Sequence, residues 1–226
     1  MKKNTKISLS QKILEYLFKV NPSEETPTTE SELAERFRVS RTPVREALKD
    51  LASEGFIVRK KRKGIYIKPM TIDEIVAVYD LRAVLEGFAA RVAVERAADA
   101  DLDELMDMAT RFTEHRRKGE MDRAEEVDLA FHEKIVDLSG NPFLSKIMEG
   151  LGILDRAFKL KYPDPSYKNR NVRSFPHEKV VEAFKRGDPG ECENSVRIHI
   201  QYSKQYIVED AFGFKMNPYS DDPENR

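Results

Sequence analysis

The stretch "SELAERFRVSRTPVREALKDLASEGFIVRKKRKGIYI", residues 31–67, decides the fold of the N-terminal part of the chain. Its opening predicts a short helix capped by Thr28 or Thr29, and "RVS" is the turn that follows this helix. A longer helix follows, with Pro43 in its first turn and Gly55 just past its end. Two short segments of alternating apolar residues then flank a basic turn, which is the pattern of a β-hairpin.

Upstream, residues 8–19 place apolar side chains at helical spacing, so the order is helix, helix, turn, helix, hairpin. This order predicts a winged helix–turn–helix, whose second helix enters the major groove of DNA. That helix begins with Arg41, Thr42 and Arg45. The two arginines share one face, and guanidinium groups suit guanine edges and phosphates. The opposite face is apolar and is expected to pack on the first two helices: Val44, Ala47, Leu48 and Leu51.

The charge of the chain divides at the end of this unit. Residues 1–69 carry 16 Lys and Arg against 9 Asp and Glu, whereas residues 70–226 carry 23 against 31. Five positive charges fall in the hairpin turn, "RKKRKG", where a wing would touch the DNA backbone or minor groove. We therefore expect only the basic part to bind a polyanion.

The remaining composition is typical of a soluble globular protein. The chain has 226 residues, 40% hydrophobic and 35% charged, and no apolar run approaches the roughly 20 residues that span a bilayer. The basic N-terminus lacks a continuous apolar core, so no signal peptide is expected. The single cysteine, Cys192, excludes an internal disulfide and fits a reducing, cytoplasmic setting.

Beyond the hairpin the sequence shows helical signals only, beginning with a capping box formed by Thr71 and Glu74. Helices are expected near 72–97, 100–118, 121–139, 142–161, 175–186 and 189–211, the first being one kinked helix or two. The predicted fold is therefore mainly α. It has a winged helix–turn–helix domain over 1–69, an all-helical bundle of six or seven helices over 70–213 and a disordered tail over 214–226.

Three of the four histidines fall on separate predicted helices. Asp128 and His132 are four residues apart, so they share one face of the third helix. His177 lies in the first turn of the fifth helix and His199 within the last. Three neutral imidazoles and a carboxylate suit a divalent ion such as zinc, nickel or manganese. On spacing alone, a hydrogen-bonded Asp–His pair and core histidines bonded to backbone carbonyls remain alternatives. His115, in a charged run, is expected on the surface.

The stretch over residues 31–67 resembles the winged helix–turn–helix of the GntR family of bacterial transcription regulators, and "SRTPVREAL" is its most specific part. The resemblance implies that these residues form the DNA interface: Arg41, Thr42, Arg45, Lys63 and the wing-tip glycine, Gly64. Ser31 belongs to the same interface but stands where many members carry arginine, so one contact is expected to be missing. Arg38 occupies a turn position that is usually glycine and that calls for a left-handed backbone, at a cost of about 1 kcal/mol.

The helical part, residues 72–211, resembles the ligand-binding domain of the FadR subgroup of this family, in the branch called FCD. The segment "YDLRAVLEGFAARVA" is similar to that domain's opening helix. The branch has an Asp-x-x-x-His motif on one helix and two later histidines, and these residues match it in order: Asp128, His132, His177 and His199. The resemblance implies a metal at the base of a pocket in the bundle, with a small organic acid or sugar acid bound partly through that metal.

A carboxylate effector also needs a positive partner. Arg82 matches an arginine of the family's opening helix that can face the pocket, and a surface salt bridge with Asp80 or Glu86 is the alternative. Tyr206 follows His199 at +7 and shares its helical face. It is a candidate for a hydrogen bond to the ligand, or for lining the core.

Together these features predict a ligand-responsive transcription regulator and not an enzyme. We expect a homodimer that binds a palindromic operator in double-stranded DNA, and family precedent favours a repressor released by its small carboxylate effector. Two alternatives stay open: a helical metal-dependent hydrolase or isomerase using the same four residues, and a regulator whose metal is structural or is itself the signal. The sequence identifies neither the operator, the effector nor the metal, and does not decide between repressor and activator.

Overall fold

The computed structural model describes residues 8–20, 22–23, 25–60, 64–68, 71–161 and 175–212, without the side chains of 156–161 and 209–212. The chain divides into two compact units: Met1–Met70 with Ile153–Lys161, and Thr71–Gly152 with Tyr162–Arg226. The expected boundaries at 69/70 and 213/214 stay predictions. Lys63, Pro69 and the expected tail over 214–226 lie outside the described residues.

Up to Lys68, the described residues of the first unit form three helices followed by a two-stranded antiparallel sheet. Its elements are α1 (Leu9–Val20), α2 (Glu30–Phe37), α3 (Arg41–Ser53), β1 (Ile57–Lys60) and β2 (Gly64–Ile67). In the sheet, Ile57 pairs with Ile67 and Lys60 pairs with Gly64. The predicted order of helix, helix, turn, helix and hairpin is confirmed.

One apolar core joins the helices and the hairpin of this unit. Leu17 of α1, Leu33 of α2 and Leu48 of α3 are completely buried in it. The whole predicted apolar face of α3 is buried, and α3 packs against both α1 and α2. Because that face is used by the core, Arg41 and Arg45 on the other side of α3 are exposed.

The turn between α2 and α3 follows from two local features. Thr29 caps α2 in a capping box with Glu32, which fixes where the helix begins. Arg38 ends the same helix with φ 54° and ψ 45°, and its N–H donates to carbonyl oxygens of the last helical turn. The left-handed backbone expected at Arg38 is confirmed, so a side chain occupies a conformation that favours glycine.

Six helices follow the hairpin in the described part of the chain. They are α4 (Ile72–Ala93), α5 (Asp99–Lys118), α6 (Met121–Leu138), α7 (Pro142–Lys161), α8 (His177–Arg186) and α9 (Pro189–Phe212). The predicted helices agree with these bounds within a few residues, and the first is one continuous helix. The predicted capping box of Thr71 and Glu74 opens α4. The mainly α fold class is confirmed.

Helix α4 is the centre of the second unit. It packs against α9 and α6, and α5 packs against α6 and α8. Small residues allow the close approach of α9: a Cβ atom added at Gly87 would lie 2.6 Å from Cγ of Arg197. This packing places α4 beside the helix that carries His199. None of the helices in the described ranges has both the length and the apolar character that a membrane crossing requires.

Candidate metal centre and DNA interface

Four side chains from three helices converge inside the second unit. Asp128 and His132 come from α6, His177 is the first residue of α8, and His199 lies in α9. One ligand atom from each lies within 4.8 Å of the other three. Asp128 Oδ1 is 3.1 Å from His177 Nε2 and 3.9 Å from His132 Nε2. The three imidazoles are buried and the carboxylate is partly exposed.

His199 is oriented by the backbone. Its Nδ1 lies 2.7 Å from the carbonyl oxygen of Phe175, and because a carbonyl can only accept, Nδ1 carries the proton. Its Nε2 therefore presents a lone pair, buried and without a hydrogen-bond partner among the described residues. Burial and the neighbouring His177 and His132 hold the pKa of His199 well below 6.5. A neutral imidazole with one nitrogen fixed by a carbonyl is a typical metal ligand.

His177 is held by aromatic side chains. The rings of Phe112 and Phe131 meet it edge to face, with centroid distances of 4.4 and 4.6 Å. These contacts fix the plane of the imidazole. Its Nε2, close to Asp128 Oδ1, makes no well-aligned hydrogen bond within the described structure. His177 Nε2 is therefore a second imidazole nitrogen, after His199 Nε2, that is buried in this cluster without a well-aligned hydrogen bond.

A buried chain of charged side chains lies behind His132. Glu86 Oε2 is 2.5 Å from His132 Nδ1, and Arg82 Nε donates to Glu86 Oε1 at 2.7 Å. The first contact is not aligned as a hydrogen bond, but it leaves Nε2 of His132 on the side of Asp128. Burial alone would raise the pKa of Glu86; Arg82 and His132 outweigh it and lower that pKa from 4.5 to about 2. Glu86 is therefore ionised at neutral pH, the state in which a carboxylate can orient a metal-binding histidine.

The donor set fits a divalent ion. Buried imidazole nitrogens without hydrogen-bond partners are costly unless a ligand satisfies them, and here they adjoin a carboxylate. Two ligands with bonds of about 2.1 Å to one ion lie no more than about 4.2 Å apart. The observed distances from Asp128 Oδ1 are inside that limit, and the widest spread of 4.8 Å is slightly outside it. Zinc, nickel and manganese all accept such ligands.

The other predicted residues of this unit lie around the cluster or away from it. Arg82 forms the salt bridge with Glu86 that was one alternative for it, but the pair is buried and does not lie on the surface. Its guanidinium also lies over the ring of Tyr79. Tyr206 is partly buried on α9. His115 lies outside the cluster and is not a fully exposed surface residue, because Nδ1 contacts Glu120 Oε2 at 2.7 Å and the side chain is partly buried.

Glu86 belongs to this site, although the sequence predicts it only as a surface partner of Arg82. A signal was available, because Glu86 shares the spacing of Tyr79, Ala83 and Ala90 on the apolar face of α4. A carboxylate on a buried apolar face needs a positively charged or hydrogen-bonding partner. Buried charged groups of this kind are frequent at functional sites.

The predicted DNA-facing residues that the structure describes lie near the starts of α2, α3 and β2. Ser31 at the start of α2 is exposed, as are Arg41, Thr42 and Arg45 at the start of α3. Gly64 opens β2 with φ 91°, and a Cβ atom there would lie 2.8 Å from the Thr28 carbonyl oxygen. Both the backbone angle and the close approach require glycine.

A winged helix–turn–helix followed by an all-helical unit is the architecture of a DNA-binding transcription regulator. The family model described as "Bacterial regulatory proteins, gntR family" matches residues 7–67, and the "FCD domain" model matches residues 77–202. The chain belongs to the GntR family of transcription regulators and carries an FCD domain. The predicted resemblance is thereby confirmed.

Curated relatives agree with this assignment. The chain is 32% identical over 182 residues to the "Nta operon transcriptional regulator" of Aminobacter aminovorans, covering 80% of this chain and 83% of that protein. It is 33% identical over 174 residues to the "Gluconate operon transcriptional repressor" of Bacillus licheniformis, covering 72% and 68%. The structure described as "E. coli McbR/YncC" shares the fold, with a TM-score of 0.73 at 23% identity over 90% of this chain and 98% of that one. The two curated relatives are named as a transcriptional regulator and a transcriptional repressor, which confirms the prediction that the chain is not an enzyme.

Proposed function

We propose that the chain is a metal-dependent, effector-responsive transcription regulator of the FadR subgroup, and that it represses until its effector binds. A divalent ion is held by Asp128, His132, His177 and His199. The observation that carries the proposal is the convergence of these four donors from three helices. His199 Nε2 is buried without a hydrogen-bond partner among the described residues, and His177 Nε2 is buried 3.1 Å from Asp128 Oδ1 without a well-aligned hydrogen bond. If the histidines had only a structural role, we would expect hydrogen-bond partners for these buried nitrogen atoms.

The effector is a small organic acid or sugar acid. A bound divalent ion supplies a Lewis acid that a carboxylate or hydroxyl group can ligate. Within the chain, Arg82 and Tyr206 are the proposed further contacts, one supplying positive charge and the other a phenol hydroxyl. The name of one relative supports this class, since gluconate is a sugar acid.

The DNA interface is formed by α2, α3 and the wing. Arg41 and Arg45 contact base edges or phosphates, and the other proposed contacts are Thr42, Ser31, Gly64 and Lys63. Two observations support the assignment. The opposite face of α3 is buried in the core, and these residues are exposed: Arg41, Arg45, Thr42 and Ser31. We expect affinity to fall as salt rises, because the phosphate contacts release counterions.

We propose that the regulator is a homodimer formed through α4. Leu81, Val84 and Phe88 follow the i, i+3, i+7 pattern on one face of this helix, and each is about half exposed. A contiguous apolar stripe of this kind marks an interaction surface. A second copy is the partner it fits, because two helix–turn–helix units are needed for a palindromic operator. Asp substitution of Val84 should give a monomer in light scattering, whereas Asp at the more exposed Phe143 should not.

Effector binding acts by a shift of populations. The ligand changes DNA affinity only by as much as it binds one arrangement of the dimer more tightly than the other. If the dimer releases its operator when the effector binds, it is a repressor of the proposed kind. DNA binding measured with and without a saturating carboxylate decides the direction, and tighter operator binding with ligand would identify an activator instead.

Thermal unfolding tests the metal and the effector separately. Chelator should lower the melting temperature, and zinc, nickel or manganese should restore it in the wild type and in His115→Ala, but not in His199→Ala. A carboxylate panel is then added at saturating metal; a ligand at 100 times its Kd adds about 2.7 kcal/mol to the free energy of unfolding. If metal stabilises but no organic acid adds to it, the metal is structural or is itself the signal.

A further inference from the structure

The N-terminal unit contains one carboxylate that pairs with two arginines from different elements. Glu30 is the first residue of α2. Its Oε2 accepts from Arg45 Nε at 3.2 Å and from Arg45 Nη2 at 3.1 Å, and its Oε1 accepts from Arg59 Nη2 at 2.5 Å. Arg45 is on α3 and Arg59 is on β1. Glu30 therefore links α2 to α3, which is the recognition helix of the proposed DNA interface, and to β1 of the wing.

The position of this carboxylate is unfavourable for DNA binding on charge alone. It lies beside Arg45, on a unit whose positive charge should attract phosphates. The pairs are not buried: the exposed fractions of the side chains are 24% for Glu30, 52% for Arg45 and 30% for Arg59. Single ion pairs with this exposure typically contribute no more than about 1 kcal/mol to stability. A contribution to the stability of the unit does not exclude a second role for Glu30 at the DNA interface.

The geometry of the pair with Arg45 offers another role. Glu30 engages the Nε–Nη2 edge of the guanidinium and leaves the terminal edge, formed by the two Nη groups, available for a partner. That terminal edge can donate two parallel hydrogen bonds to guanine O6 and N7 or to a phosphate. Holding one edge fixes the plane of the group and so the direction of the other edge. The pairs also lower the pKa of Glu30 against the raising effect of its partial burial, which keeps the carboxylate charged.

We propose that Glu30 is a positioning residue for DNA recognition: it orients the guanidinium groups of Arg45 and Arg59 so that the recognition helix and the wing meet DNA in one fixed arrangement. This inference rests on the proposed DNA interface and adds a specificity-determining residue to it. Loss of Glu30 has two separable effects. Removing its negative charge strengthens binding to every DNA, and loss of orientation weakens the preference for the operator.

The test uses the full-length chain and a duplex enriched by the wild type from a randomised library. Dissociation constants are measured for that duplex and for an unrelated duplex of equal length and base composition, at one salt concentration. For Glu30→Gln we expect tighter binding to the unrelated duplex and a fall of about tenfold in the preference ratio, the loss of one oriented bidentate contact. Glu35→Gln is the matched control, since Glu35 is exposed on the same helix; its ratio should not change.

A second variant separates orientation from charge. Glu30→Asp keeps the negative charge but withdraws the carboxylate by one methylene, so we expect its preference ratio to fall as in Glu30→Gln. The capping box of Thr29 and Glu32 is untouched in both variants, and unchanged melting temperatures would confirm that they fold. If the ratio is unchanged in both variants while affinities for the two duplexes move together, Glu30 acts only through its charge and the proposal is overturned. A wild type that enriches no duplex would instead overturn the DNA interface itself.

Discussion

Replacing Glu86 by Gln should destabilise the second unit by about 3–5 kcal/mol, the cost of leaving one charge of a buried pair without its partner. The side chain of Glu86 is 1% exposed and that of Arg82 is 9% exposed, and their atoms meet at 2.7 Å. Arg82 and His132 lower the pKa of Glu86 to about 2 despite its burial, so the carboxylate is ionised at neutral pH and Gln removes a charge that Arg82 is paired with.

The assay is urea unfolding followed by circular dichroism at neutral pH, with chelator present so that metal binding does not contribute. The double variant Arg82→Met/Glu86→Leu removes both charges and should recover most of the loss, because an apolar pair avoids the desolvation of two ions. Glu95→Gln, at an exposed position, should change stability by no more than about 0.5 kcal/mol. A loss below about 1 kcal/mol for Glu86→Gln would show that the pair is solvated, which contradicts the buried chain of charges.

The same variant has a second consequence at the metal centre. Because Glu86 holds His132 from behind, Glu86→Gln should weaken metal binding by about 10–100-fold, the usual effect of removing an outer partner of a ligand. Titration calorimetry of the folded apoprotein measures this directly. Unchanged affinity in a folded variant would mean that Glu86 neutralises Arg82 and does not orient His132.

Three further predictions concern single positions. Arg38→Gly should raise the free energy of unfolding by about 1 kcal/mol in urea, since φ is 54° there; a loss of stability would mean that the arginine side chain contributes more than its strained backbone costs. Cys192 is buried and its pKa is raised to about 12, so it should react with a thiol reagent only after unfolding, and fast labelling of the native chain would contradict that burial. Hydrogen bonds from the Thr29 backbone and the Thr28 hydroxyl lower the pKa of Glu32 below 4.5, so its contribution to stability is present above that pH and is lost as the pH falls further. Glu32→Gln should flatten this part of the stability profile, and an unchanged profile would show that the ionisation of Glu32 does not contribute to the stability of α2.

Most of the fold could be predicted from short-range sequence patterns. Capping signals placed the starts of α2 and α4, and apolar spacing placed the buried face of α3. Such features depend on residues within one or two turns, so a single sequence contains them. The helix bounds differ from the prediction by a few residues at the helix ends, where the chain leaves the regular pattern.

The site was predictable only in part, because its pairings join residues far apart in the chain. The spacing of Asp128 and His132 shows a shared helical face, and three imidazoles with a carboxylate suit a metal. Only the family resemblance favours a site shared with His177 and His199 over hydrogen-bonded core histidines. The contact between Glu86 and His132 depends on how α4 packs beside α6, which no local pattern specifies. The same holds for Glu30, whose two arginines lie 15 and 29 residues further along the chain.

The central claim is that Asp128, His132, His177 and His199 hold one divalent ion. Elemental analysis of purified chain, loaded with zinc, nickel or manganese and freed of excess, tests it most directly. We expect one ion per chain in the wild type and in His115→Ala, and none in His199→Ala once its circular dichroism shows that it is folded. Wild-type protein that retains no ion, or a folded His199→Ala that retains as much as the wild type, would contradict the claim.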